Sequence, residues 1–409
     1  MEPHRTTASG GKSRLRLGAL AGALLMAAAT GVPAAAASAP SKLTTRATFN
    51  TPGGGQIVEH LEKLIRGAPE NSTIRTAQYL LRDAPITDAL GDAAERGVHV
   101  QVLVNGEATD HPNYKEMKNR LEKTGDKNSW AKHCKSGRGC NGVNAMHNKF
   151  FLFDRTLDAA AVVATGSANF SENTTGGKGG WNSYYTDVGN AGLFARYNDY
   201  FVDLRRVADG ATANPDYYEA NPPVVTGDTK SYFYPRLKDA GNDTVENSLK
   251  EVGCSKEKSK IRIGVWSLTR MKIIERLRIL AAQGCSVDIV ALRMTEGSCE
   301  ALMKGKPDRV RLRGFKAGNE AGIHEKNMMI EGDYLKPGTK VVFTGSQNFN
   351  NPSLHENDEN VIRVLNNKAI YQSFVTNFEQ VADATDQEIK SPGDCVKMVP
   401  PNDPAPTEG

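Results

Sequence analysis

The sequence predicts an α/β protein made of two related repeats, each a mixed, mainly parallel β-sheet flanked by helices. Two observations carry this. A strand–helix–strand pattern occurs twice with the same spacing, from Ile74 to Gly97 and again from Ile261 to Gly284. A run of histidine, lysine and carboxylate followed by Gly-Ser-x-Asn also occurs twice. The first copy is His147, Lys149, Asp154 and then Gly166 to Asn169; the second is His324, Lys326, Glu331 and then Gly345 to Asn348. Self-similarity of this kind marks a repeated supersecondary unit, and β-α-β units favour parallel strands with right-handed crossovers. A duplicated chain of this kind is expected to be pseudo-twofold, with both histidine runs at a central cleft.

In chain order, residues 1–37 combine a basic start (Arg5, Lys12, Arg14, Arg16), an apolar run from Leu17 to Ala29, and a small-residue stretch after Pro33. This is the layout of a secretory signal peptide that is removed, and the run is short for a membrane span. Ser41 to Asn50 reads as extended. Ile57, Leu61, Leu64 and Ile65 recur at helical spacing. Strand Thr73–Leu80, helix Ile86–Arg96 and strand Val98–Val104 follow, with Gly97 stopping the helix. The polar stretch Glu107–Asn144 contains a helix around Tyr114–Leu121 and then a loop. Lys149–Asp154 and Ala159–Ala164 read as consecutive strands. The glycine-rich run after Asn169 lacks the order of a phosphate-binding P-loop. It is either a surface loop or a lip over the site, with Trp181, Tyr184 and Tyr185 facing substrate.

Tyr185–Val188 and Ala191–Val207 read as strand and helix, which closes a first repeat over 48–207. A linker rich in Pro, Asn and Gly spans 208–228, a second repeat 229–385, and a C-terminal tail 386–409, disordered from Lys397. Within the second repeat, strand Ile261–Ser267, helix Ile273–Gln283 and strand Val287–Leu292 mirror the first. Arg309, Arg311 and Arg313 alternate with Val310 and Leu312, so a strand would align all three on one face. That face is either solvated or a groove for an anionic ligand.

Hydrophobic content of 39% and charged content of 24% are those of an ordinary globular protein. The net charge is +4, of which the first 37 residues contribute +3, from four basic residues against Glu2. The remainder is nearly neutral, so overall charge selects no partner. Six cysteines suit an exported chain, and none has the spacing of a zinc site. Cys134 and Cys140 bracket a small loop. Cys254 and Cys285 each precede a predicted strand and would meet at one sheet end if those strands are parallel neighbours, which leaves Cys299 with Cys395.

A phosphate-handling site needs an imidazole, a fixed cation and small polar donors beside glycine, and both runs supply them. The paired runs resemble the phospholipase D superfamily, whose members bring two such half-sites together. The resemblance extends over residues 49–381 and departs from the pattern at Glu331, where an aspartate is usual. It implies two phospholipase D-like repeats with the active site at their interface, and covalent catalysis in two steps. His147 would be the nucleophile and His324 the general acid. Lys149, Lys326, Asn169 and Asn348 would hold the phosphate oxygens, with Ser167 and Ser346 as supporting donors. An orienting carboxylate is expected downstream of each Gly-Ser-x-Asn, Asp187 in the first half and Glu359 in the second. Asp154 and Glu331 would be more structural than chemical. The resemblance implies no metal and no cofactor, because fixed cations stabilise the charge instead.

The leading expectation is a secreted phospholipase D, monomeric, hydrolysing or transphosphatidylating phospholipids at a membrane or vesicle surface. Secretion and the loop candidates Trp181, Tyr184, Tyr185, Phe349 and Leu354 favour it. The alternative is a secreted, metal-independent endonuclease acting on nucleic acid, which the arginine strand favours. A binding protein with a dead site is disfavoured by the two intact histidine–lysine pairs.

Overall fold

The computed structural model describes residues 42–171, 180–237, 243–254, 259–305, 307–316 and 322–398. The expected signal peptide, the glycine-rich run over 172–179 and the end of the tail lie outside the described residues.

The first repeat follows its hydrophobic pattern. β1 (Arg46–Asn50) leads to α1 (Gln56–Arg66), whose Ile57, Leu61, Leu64 and Ile65 fall on one buried face. Then come β2 (Thr73–Gln78), α2 (Ala84–Glu95), β3 (His99–Val104), α3 (Pro112–Lys123), β4 (Trp130–His133), β5 (Lys149–Thr156), β6 (Ala159–Gly166), β7 (Asn182–Val188) and α4 (Ala191–Ala208). The linker is partly ordered, as α5 (Tyr217–Ala220) and β8 (Val224–Thr226). The second repeat runs through β9 (Thr229–Phe233), α6 (Thr244–Lys250), β10 (Val252–Gly253), β11 (Lys260–Ser267), α7 (Met271–Ala282), β12 (Ser286–Arg293), α8 (Glu296–Met303), β13 (Val310–Gly314), β14 (Lys326–Tyr334), β15 (Lys336–Gly345), α9 (Asn351–His355), β16 (Asn360–Leu365) and α10 (Lys368–Asp383).

Past the second repeat, β17 (Gln387–Ile389) pairs with β13, and the chain is pinned by Cys395 to Cys299. The tail from residue 386 is therefore structured as far as Met398, because that disulfide and the β13 edge give it something to hold. The other two disulfides join Cys134 to Cys140 and Cys254 to Cys285, the latter at one end of the parallel pair β11–β12.

The first sheet has the order β1-β7-β6-β5-β2-β3-β4, and the second β17-β13-β12-β11-β14-β15-β16-β9-β8 with β10 on β14. Both sheets are mixed, but antiparallel pairs outnumber parallel ones, which corrects the expectation of mainly parallel sheets. Among the named strands of the described residues, the parallel pairs are those within β2-β3-β4 and β11-β12-β13. β5 turns directly back into β6 and β14 into β15, and so short a connection can only join antiparallel neighbours.

Among the described residues, three buried hydrophobic clusters form the core. One belongs to the helices on the first sheet and one to those on the second. The third mixes residues of both repeats, with Met146, Phe150 and Tyr197 packed alongside Phe233, Ile323 and Ile362. This shared core holds the repeats together. Among the described residues no helix is long and apolar enough to cross a membrane.

Candidate active site

His147 and Lys149 flank Asn148 at the entry to β5, so strand alternation turns both side chains to one face. The backbone there is held from two sides. The His147 N–H donates to the Asp358 carbonyl at 2.9 Å, and the Tyr79 N–H donates to the Asn148 carbonyl at 2.8 Å. The second half repeats this in register: the His324 N–H donates to the Trp181 carbonyl at 2.8 Å, and the Trp266 N–H to the Glu325 carbonyl at 2.9 Å. Each histidine is thus fixed between its own central strand and a segment of the other repeat.

The side chains also cross between repeats. His147 Nδ1 lies 2.8 Å from Glu359 Oε1, in a pair that is almost fully buried. A carboxylate only accepts, so Nδ1 donates and Nε2 is left to face the site. Glu359 is held in turn by the Ser346 hydroxyl and by Asn357 Nδ2. His324 Nδ1 lies 3.0 Å from Asn182 Oδ1, which also accepts from the Ser167 hydroxyl at 3.0 Å. Asn182 Nδ2 donates to the Gly180 carbonyl, which fixes the amide so that its oxygen meets the ring. Ser167 and Ser346 therefore do the same task, each steadying the group that orients the other repeat's histidine.

Lys149 Nζ donates to the His147 carbonyl at 2.9 Å and sits 5.1 Å from the Tyr79 ring centre. Lys326 Nζ donates to the His324 carbonyl at 2.8 Å and lies 3.0 Å from His324 Nε2. An aromatic wall backs each histidine, Tyr79 at 4.9 Å from His147 and Trp266 at 6.3 Å from His324. Arg293 stacks over Trp266 at 5.2 Å, which adds a cation to the second half-site's edge. Asn169 and Asn348 are buried at the ends of their Gly-Ser-x-Asn loops. The bridges Leu81–Phe170 and Leu268–Phe349 tie those loops to the ends of β2 and β11.

Asp187 is not with a histidine. It accepts from the Tyr185 hydroxyl at 2.8 Å on β7, and burial raises its pKa. The place symmetric to Glu359 is taken by Asn182: Ser167 N–H donates to the Ser183 carbonyl as Ser346 N–H donates to that of Asn360, and Asn182 and Glu359 are the residues before. Asp154 accepts from the Thr73 N–H at 2.7 Å, and Glu331 pairs with Lys340, which lowers its pKa. Both carboxylates lie along their strands beyond the histidine–lysine pairs and brace the sheets. Between His324 and Lys326, Glu325 points to the other face, bonded by Asn327 and Asn377, and burial pushes it up to about 7.

The loop candidates for substrate contact are not exposed. Tyr184 and Tyr185 are fully buried, and Trp181, Phe349 and Leu354 nearly so. Tyr184 donates to the Lys149 carbonyl instead of facing a ligand. On the arginine strand, Arg313 is buried and paired with Asp288, and the exposed Arg311 is paired with Glu388.

A family model described as "Cardiolipin synthase, PLD-like domain" matches residues 61–201 and 254–382. The chain belongs to the phospholipase D superfamily. Members of this superfamily act on phosphodiesters, as synthases and as nucleases. Among solved structures, the chain is similar to phosphatidylserine synthase from Haemophilus influenzae, at 14% identity and a TM-score of 0.61, over 85% of this chain and 88% of that one. It is also similar to polyphosphate kinase from Porphyromonas gingivalis, at 15% identity and a TM-score of 0.57, over 84% of this chain but only 48% of that one. At such identities the likeness shows the two-repeat superfamily fold. A comparison with curated protein sequences gave no match.

Proposed function

We propose that this member of the superfamily is an exported phospholipase D, with His147 as nucleophile and His324 as general acid. The observation that carries the assignment is the difference between the two orienting groups. Glu359 places a negative charge against His147 Nδ1, which makes Nε2 more nucleophilic and offsets the positive charge of a phosphorylated ring. Asn182 gives His324 the same alignment without that charge, so its imidazolium is held less firmly and gives up a proton more readily.

In the first step the His147 Nε2 lone pair forms a bond to phosphorus and the bond to the leaving oxygen breaks. That oxygen takes the proton from His324 Nε2. Lys149, Lys326, Asn169 and Asn348 hold the non-bridging oxygens; phosphate entry gives Lys326 an acceptor in place of His324 Nε2, and that nitrogen takes up a proton from solvent before the first step. Water then attacks phosphorus, His324 Nε2 takes its proton, and the P–N bond breaks to restore His147. An alcohol in place of water would give transphosphatidylation. Every charge in this cycle is met by the chain's own groups.

Phospholipid is favoured over nucleic acid on two grounds. The family model and the similar synthase both carry phospholipid-enzyme names, and two of the three arginines that suggested a nucleic-acid groove, Arg311 and Arg313, are ion-paired within the protein. Three disulfides support export. The test is a parallel assay on phosphatidylcholine vesicles and plasmid DNA. Release of choline and phosphatidate without nicking is expected; nicking without lipid cleavage would establish the nuclease instead.

A further inference from the structure

Asp358, next to Glu359, is completely buried and unlike anything in the other half-site. Its two oxygens accept three successive main-chain N–H groups from the first repeat: Cys140 at 2.6 Å, Asn141 at 3.0 Å and Gly142 at 2.9 Å. Such a run of N–H groups makes an anion-holding concavity. Here it is shaped by the loop that the Cys134–Cys140 disulfide closes. Among the described residues these two cysteines and Asp358 also form the one close group of metal-ligand type, but both sulfurs are used in the disulfide.

The contact closes a short circuit. The loop runs on through Asn144 to His147, and Asn144 is bonded to the Glu356 carbonyl and to the Asn357 side chain. The Asp358 N–H donates to the Ala145 carbonyl, and its carbonyl accepts from His147. The segment that delivers the histidine and the segment that delivers its carboxylate are therefore clasped together one residue from their meeting point. At the corresponding place in the first repeat stands Trp181, which keeps the main-chain ladder to Gly322 and His324 but has no carboxylate to make a clasp.

We propose that Asp358, through the disulfide-closed loop 134–142, is a positioning residue that sets the alignment of His147 with Glu359. Rigidity is concentrated on the half-site that must place a lone pair in line with phosphorus. The other half-site, which passes a proton, lacks the clasp. Burial pushes the Asp358 carboxyl up to about 7, while the three N–H donors pull the other way by favouring its charged form.

The inference rests on His147 as nucleophile, so the test includes a readout independent of turnover. Asp358→Asn puts an N–H donor against the N–H groups; Cys134→Ser with Cys140→Ser opens the loop and leaves Asp358 intact. In a nitrophenyl phosphodiester burst, amplitude counts competent molecules and the rate constant reports alignment. Both variants should lower the burst rate constant about 10- to 100-fold, and their combination should cost little more than either alone. An unchanged rate constant with reduced amplitude would mean a merely structural role and would overturn the proposal. Independently, the downfield Nδ1–H proton resonance of His147, assigned by its loss in His147→Ala, should broaden or shift in both variants. If that resonance is unmoved, the clasp does not position the ring, whatever the enzyme turns over. If wild type shows no burst while the resonance responds, the catalytic assignment fails and the clasp stands.

Discussion

His147 leans on a carboxylate from the second repeat, and His324 on an amide from the equivalent place in the first. Around them nearly everything else is doubled: the lysines, the serines behind the orienting groups, the aromatic wall of Tyr79 and Trp266, and the main-chain bonds to both histidines. Duplication gives two identical imidazoles, yet phosphodiester transfer needs two that differ in protonation. One substitution at the head of β7 relative to β16 puts a charge behind one ring and not the other without disturbing the backbone. Environments that push two titratable groups apart are how a site assigns its acid and its base.

The widest test of that asymmetry is removal of each histidine with a nitrophenyl phosphodiester as substrate. His147→Ala should show no burst. His324→Ala should keep a detectable one, because an acidic leaving group needs far less than the ~10²–10⁴-fold help a general acid usually gives. A burst from His147→Ala alone would reverse the roles. Next in size, Glu359→Gln should cost about 10²- to 10⁴-fold in kcat, by analogy with loss of the charge behind a catalytic histidine. Asn182→Asp keeps the geometry and adds charge, so kcat should stay within about tenfold while the alkaline limb of its pH profile moves up by about one unit. If Asn182→Asp is as damaging as Glu359→Gln, the amide does more than withhold charge.

A smaller effect is expected in stability. Glu325 is raised to about 7 by burial, above its value in the unfolded chain. Its contribution is fully present below about pH 4.5 and is lost as pH rises through about 7. Thermal melts between pH 5 and 8 should fall less steeply for Glu325→Gln than for wild type; parallel slopes would mean that another group titrates. Asp187→Asn should change kcat less than about threefold and cost about 1 kcal/mol of stability through its bond to Tyr185. A hundredfold loss would restore it to the site. Chelator treatment should leave the rate of the burst unchanged, and loss of that burst with rescue by added metal would demand a different mechanism.

Much of the scaffold was legible because duplication writes the same spacing twice. Tyr79 and Trp266 each stand five residues after the equivalent isoleucines, Ile74 and Ile261, so even the aromatic wall could have been found by counting. The orienting partner in the first half could not be found that way. Asn182 follows Asn169 by more residues than Glu359 follows Asn348, so counting misaligns the loops, and a search for a carboxylate stops at Asp187. Only the pairing of Ser167 with Ser183 and of Ser346 with Asn360 restores the register. Nor does a linear pattern say that orienting groups are exchanged between repeats, since that depends on how two sheets meet. Tyr184 and Tyr185 after the glycine-rich run bond to the Lys149 carbonyl and to Asp187: a ring near a motif can serve the interior as readily as a ligand.

The exchange of partners also orders events in time. A ribosome making this chain produces His147 long before β16, and until Glu359 arrives the nucleophile has neither its orienting charge nor its clasp. No partial product that ends before Glu359 carries the completed His147–Glu359 pair. Competence comes as a single late event, when the last strands dock.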